Sequence, residues 1–182
     1  MPRWINLPNL FTLLRLVLVP FVMQAILQGR YTLALALFGI AAVTDILDGA
    51  AARRLGLSTQ AGAYLDPVAD KCLLSGVFLA LAVGKVVPWW FVGVVFGRDL
   101  YILLGVAGVM LFTPVRKFPP SLWGKVSTFV QILTVVACLA RNALELRVLD
   151  ALSPAILWLC VVFTAWSGLH YTWRGFRVAR AH

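Results

Sequence analysis

Apolar residues run along this chain in six long blocks, Leu10–Leu27, Tyr31–Ala52, Ala61–Val83, Val87–Phe112, Leu122–Ala140 and Pro154–Tyr171. Short breaks rich in glycine and proline part them, as at Gln28-Gly29, Val87-Pro88 and Phe118-Pro119-Pro120. A helix that crosses a bilayer needs about 20 mostly apolar residues, and each block approaches or exceeds that length. The pattern predicts an all-α fold of six transmembrane helices in one polytopic membrane domain, residues 1–182. Asn9, Thr12 and Arg15 follow Pro8 at helical spacing and predict an amphipathic entry segment at the amino end, with Arg15 an interfacial anchor or part of a head-group site. The first block lacks a small-residue cleavage site, and Arg15 interrupts it, so it reads as a retained helix and not a leader.

Composition agrees with that pattern. Hydrophobic residues make up 62% of the 182 residues and charged residues 13%, against roughly 25% charged in a soluble domain. The net charge of +9 suits a membrane surface better than nucleic acid, and no nucleic-acid partner is expected. With the amino terminus cytoplasmic, the inner flanks hold Arg3, Arg53, Arg54, Arg116, Lys117, Arg174, Arg177 and Arg180, against Arg30, Lys85, Arg141 and Arg147 outside. That asymmetry predicts both termini inside a bacterial inner or plasma membrane. Cys72, Cys138 and Cys160 stand singly in apolar segments and read as buried small hydrophobes. His170 and His182 lie far from the acids in sequence and carry no predicted role.

Seven acidic residues are present, and five of them, Asp45, Asp48, Asp66, Asp70 and Asp99, fall inside apolar blocks. A charge near the centre of a bilayer costs about 2.5–3.5 kcal/mol on insertion scales, and grouped acids also repel one another. Asp45 and Asp48 share one helical face, as do Asp66 and Asp70 on the next helix. A short turn between the two helices makes them antiparallel neighbours, so both pairs converge near the cytoplasmic end. Pro67 disfavours helical geometry at Asp66, so the third helix starts near there or kinks. Carboxylates alone form a hard oxygen set suited to magnesium, manganese or calcium. Two divalent cations would balance four acids and clamp a displacement at phosphorus; one acid is alternatively a general base. Gly49 and Gly62 allow close backbone approach or plain helix packing, and Arg53 can meet a phosphate or simply mark the cytoplasmic side.

From Asp45 to Asp70 the chain reads D-x-x-D-G-x-x-A-R, eight residues, then G-x-x-x-D-x-x-x-D. This resembles the signature of the CDP-alcohol phosphotransferase family at all eight defining positions. The resemblance implies an integral-membrane enzyme of phospholipid synthesis that moves a phosphatidyl group from CDP-diacylglycerol to an alcohol and releases CMP. It implies that Asp45, Asp48, Asp66 and Asp70 bind two divalent cations, Mg2+ or Mn2+, with Asp70 also the catalytic base. Gly49, Ala52, Arg53 and Gly62 would hold the CDP moiety, and members are commonly homodimers. The opening PNLFTLLR, with GKVST and Gln131, is similar to the glycerol-acceptor branch. There the acceptor is glycerol 3-phosphate, as in phosphatidylglycerophosphate synthases, or phosphatidylglycerol, as in cardiolipin synthases; the first leads.

Arg98 and Lys125 are candidate acceptor-binding residues, since intramembrane cations usually face the protein interior, and Arg116 with Lys117 would line the entrance of that pocket. Arg98 can instead simply pair with Asp99, and Lys125 can snorkel. A cation channel or transporter is the alternative from another class, because intramembrane acids often mark ion paths. It would spread acids through the membrane depth, whereas four crowd into one short stretch here.

Overall fold

A computed structural model describes the backbone of residues 7–55, 60–112, 122–145 and 147–180, and the side chains of 12–45, 69–105, 108, 122–145 and 148–173. The described residues form six helices and no strand: α1 (Leu7–Leu27), α2 (Tyr31–Leu55), α3 (Gln60–Val83), α4 (Trp89–Phe112), α5 (Leu122–Leu144) and α6 (Arg147–Arg180). Each apolar block became one helix. The largest departure is α6, which begins at Arg147 and carries Pro154 within it. A proline ring removes one backbone hydrogen bond, and the helix absorbs that loss instead of starting there. Likewise α3 begins at Gln60 and runs past Pro67, so Pro67 is not its starting point.

Among the described residues, two helices are long and apolar enough to cross a membrane, Leu122–Leu144 and Val148–Trp173, while Thr12–Leu27 and Tyr31–Asp45 are shorter apolar helices. The chain divides into two compact units, Met1–Val86 with Cys138–Arg147, and Val87–Ala137 with Val148–His182.

In the first unit α1 packs on both α2 and α3. Its buried face follows helical spacing through Thr12, Arg15, Val22 and Ile26. The buried face of α2 runs through Ala34, Phe38 and Ala41, and that of α3 through Leu74, Val77 and Leu81. Extending the last two by one turn reaches Asp45 on α2 and Asp70 on α3. The site is therefore a continuation of the apolar core stripe. Cys72 falls on the opposite face of α3 and is exposed, which corrects its reading as buried; Cys138 and Cys160 are buried as expected.

Two close features fix this packing. A Cβ on Gly76 of α3 would stand 2.9 Å from Met23 Sδ and 3.1 Å from Val19 Cγ1 of α1, so the absent side chain lets the two helices approach. The α1–α2 turn closes with Gly29 at φ 71°, its N–H donating to Ile26 O and the Arg30 N–H to Ala25 O. That is a Schellman cap, and it needs the left-handed residue. The same cap ends α3, where the Val86 N–H donates to Leu81 O at 2.8 Å, but there Lys85 holds φ 58°.

In the second unit α6 is linked to both of its neighbours. Toward α4 it offers Ser167, which accepts from Arg98, and Thr172, which shares a 2.7 Å hydrogen bond with Tyr101. Trp158 of α6 stacks on Trp90 with ring centroids 5.3 Å apart. Toward α5, buried Thr164 accepts from Ser127 and Gln131 at 3.5 Å each. Small polar side chains of this kind hold helices together where no water competes.

Candidate active site

The first-unit core ends in charge. Arg15 of α1 lies on the buried stripe with 1% of its side chain exposed. One of its terminal nitrogens donates to Asp45 Oδ1 of α2 at 2.5 Å, and the other donates to Asp70 Oδ1 of α3. Three helices thus meet on a single guanidinium. The planar fork of arginine suits this, because it aims two donors at two acceptors at once. The Arg15 Nε is buried with no hydrogen-bond partner among the described residues.

The two carboxylates are far more open than the cation between them, at 46% and 43% exposure. Just before Asp45, the Thr44 hydroxyl donates back to the carbonyls of Ile40 and Ala41 at 2.9 Å. Back-bonding of that kind satisfies the hydroxyl within its own helix and often bends the helix slightly.

Of the predicted acids, the structure brings together Asp45 and Asp70, the first and last of the signature. Asp48, Gly49, Ala52 and Arg53 lie on the backbone of α2, and Gly62 and Asp66 on that of α3; their side chains fall outside the described residues. Arg116 also lies outside them. No cluster of three or more His, Cys, Asp or Glu occurs among the described residues. The donor set that is described fits a hard divalent cation: two carboxylates, from two helices, converge on a point already filled by positive charge.

Of the two readings of Arg15 open from sequence, the interfacial anchor is overturned. Arg15 is neither an interfacial anchor nor a snorkelling cation, because its guanidinium is buried and doubly paired. Spacing places Thr12, Arg15, Val22 and Ile26 on one face of α1, and the packing of that face on α2 and α3 gives the arginine its partners.

The acceptor candidates are less concentrated. Arg98 pairs with Asp99 at 2.7 Å and donates to Ser167, with 10% of its side chain exposed. Its Nε is buried and has no hydrogen-bond partner among the described residues. Lys125 on α5 is exposed. The pairing of Arg98 with its neighbour, one of the two readings open from sequence, is realised.

The family model for CDP-alcohol phosphatidyltransferase matches residues 5–166, which takes in Arg15 and all eight signature positions. The chain belongs to the CDP-alcohol phosphatidyltransferase family. It is 37% identical over 140 residues to a Mycobacterium tuberculosis protein named probable phosphatidylglycerophosphate synthase, covering 73% of this chain and 65% of that one. It is 34% identical over 181 residues to the Bacillus subtilis CDP-diacylglycerol–glycerol-3-phosphate 3-phosphatidyltransferase, covering 91% and 93%. A Drosophila melanogaster probable cardiolipin synthase (CMP-forming) is 34% identical over 147 residues, covering 71% of this chain and 45% of its own length. CDP-alcohol phosphatidyltransferases are membrane-associated enzymes that use divalent metals. Membership in this family replaces the channel or transporter reading with that of a transferase family.

Proposed function

We propose that this chain transfers a phosphatidyl group from CDP-diacylglycerol to glycerol 3-phosphate, forming phosphatidylglycerophosphate and releasing CMP. The observation that carries the reading is the convergence of Asp45 and Asp70 from separate helices on one cation. The extended similarity to a relative named for the glycerol 3-phosphate reaction supports the choice of acceptor.

In this reading Asp45, Asp48, Asp66 and Asp70 hold two divalent cations, Mg2+ or Mn2+, which supply charge stabilisation for displacement at phosphorus. Asp70 takes the proton from the acceptor hydroxyl. The acceptor oxygen then bonds to the phosphatidyl phosphorus as the bond from that phosphorus to the CMP oxygen breaks. Gly49, Ala52, Arg53 and Gly62 hold the cytidine and diphosphate, and Arg98, Lys125 and Arg116 are the proposed acceptor-binding residues.

The same reading has six helices crossing the bilayer, with the site and both termini cytoplasmic and two copies forming a homodimer. The excess of basic residues in the inner flanks supports that orientation. Large apolar side chains left open, such as Leu103 and Leu169 at 66% each, support lipid contact on α4 as well as α6.

Phosphatidylglycerol is the second reading for the acceptor. Arg98 is already engaged by Asp99 and Ser167, which leaves fewer free donors for the phosphomonoester of glycerol 3-phosphate. One experiment covers both. Purified protein receives CDP-diacylglycerol and Mg2+ with each alcohol separately, and CMP is measured with and without chelator. Glycerol 3-phosphate is expected to give product, and chelator to stop it. Release without metal, or none with either alcohol, overturns the proposal.

A further inference from the structure

We propose that Arg15 is a displaceable internal counter-cation. It holds Asp45 and Asp70 together when no divalent cation is bound, and it yields their Oδ1 oxygens when one arrives. The proposal rests on the reading of these acids as metal ligands.

Two observations support it. First, the guanidinium is hydrogen-bonded to the carboxylate oxygens a metal would take, Oδ1 of Asp45 and Oδ1 of Asp70. A divalent cation and a guanidinium within a few ångströms repel strongly in a partly dry site, so the two compete for those oxygens. Second, the site is lopsided, with Arg15 at 1% exposure and the two acids at 46% and 43%. A cation entering from the open side reaches carboxylate oxygen without first passing the arginine.

The rival account is a fixed bridge in which Arg15 only fastens α1 to α2 and α3. Removing the charge raises metal affinity in either case, so Arg15→Lys separates the two accounts: at constant charge, loosening the fork tightens metal binding if Arg15 yields the oxygens and leaves it unchanged or weaker if the bridge is fixed.

The test is a Mn2+ titration followed by electron paramagnetic resonance on the detergent-solubilised full chain, comparing wild type, Arg15→Gln and Arg15→Lys. Arg15→Gln is expected to bind Mn2+ about tenfold tighter, the scale set by removing one unit charge a few ångströms from a half-open site. Arg15→Lys keeps the charge without the fork and should fall between the two. Melting temperatures give the second readout. Arg15→Gln should melt below wild type in EDTA, and saturating Mn2+ should close the gap. Equal or weaker Mn2+ binding by Arg15→Gln overturns the role of Arg15 alone, provided wild type binds. Arg15→Lys decides between the accounts whether or not Arg15→Gln folds, and affinity no higher than wild type overturns the proposal. A wild type that binds no Mn2+ overturns the metal-ligand reading and this proposal with it.

Discussion

Arg15 and Asp70 are ion-paired across 55 positions of sequence, and this bond ties the first helix of the chain to the last acid of its signature. It makes α1 part of the acid site, although every signature residue lies on α2 or α3.

Asp70→Asn tests the base role. The substitution keeps the side-chain volume and removes proton affinity. CMP release should fall by about 10²–10⁴-fold, the usual contribution of a positioned general base, while binding of CDP-diacylglycerol is partly kept. Full turnover in that variant would take Asp70 out of the role.

Asp45→Ala leaves the buried Arg15 with one of its two recorded carboxylate partners. Breaking a fully buried pair costs about 3–5 kcal/mol. Because the Asp45 side chain is nearly half exposed, the expected loss is smaller, about 2 kcal/mol, read by denaturation in EDTA so that metal does not contribute. An unchanged midpoint would mean that the pair adds nothing to stability.

Gly76→Val should separate α1 from α3. The added side chain meets Met23 and Val19, and overpacking of this kind costs about 1–3 kcal/mol. Gly76→Ala should be milder, since the flexible Met23 side chain can move aside. The check is thermal melting together with CMP release, both of which should fall in the order wild type, Ala, Val.

Lys85→Gly should stabilise the protein. Lys85 closes α3 in the left-handed region, which costs a residue bearing a Cβ about 1–2 kcal/mol. A rise in melting temperature with unchanged activity is the expected result.

Lys125→Ala probes the acceptor side. Exposed and placed near the start of α5, Lys125 should affect capture of the acceptor and leave the donor alone. Its removal should raise the acceptor KM several-fold with little change in the donor KM. Equal changes in both would remove it from the pocket.

Helix number and order could be read from the apolar blocks because each is long and bounded by turn residues. The start of α6 could not, since Pro154 has the look of a boundary and is in fact a tolerated interior residue. The pairing of Arg98 with Asp99 was open to local reasoning, as neighbours need no fold to meet. Arg15 was not. Its partners lie 30 and 55 positions away, and only the packing of α1 on α2 and α3 decides that its polar end points inward. Asp45 and Asp70 were legible as a cluster for the opposite reason, since carboxylates at helical spacing on neighbouring helices have few ways to avoid each other.

In the proposed reading of these acids as metal ligands, the difference in exposure between Arg15 and its two carboxylates sets an order of arrival. An anionic diphosphate approaching the open side meets carboxylates first and is turned away by like charge, while a divalent cation is drawn in. Initial rates measured across donor and metal concentrations should therefore show compulsory sequence, with metal bound before or together with the nucleotide lipid and never after it.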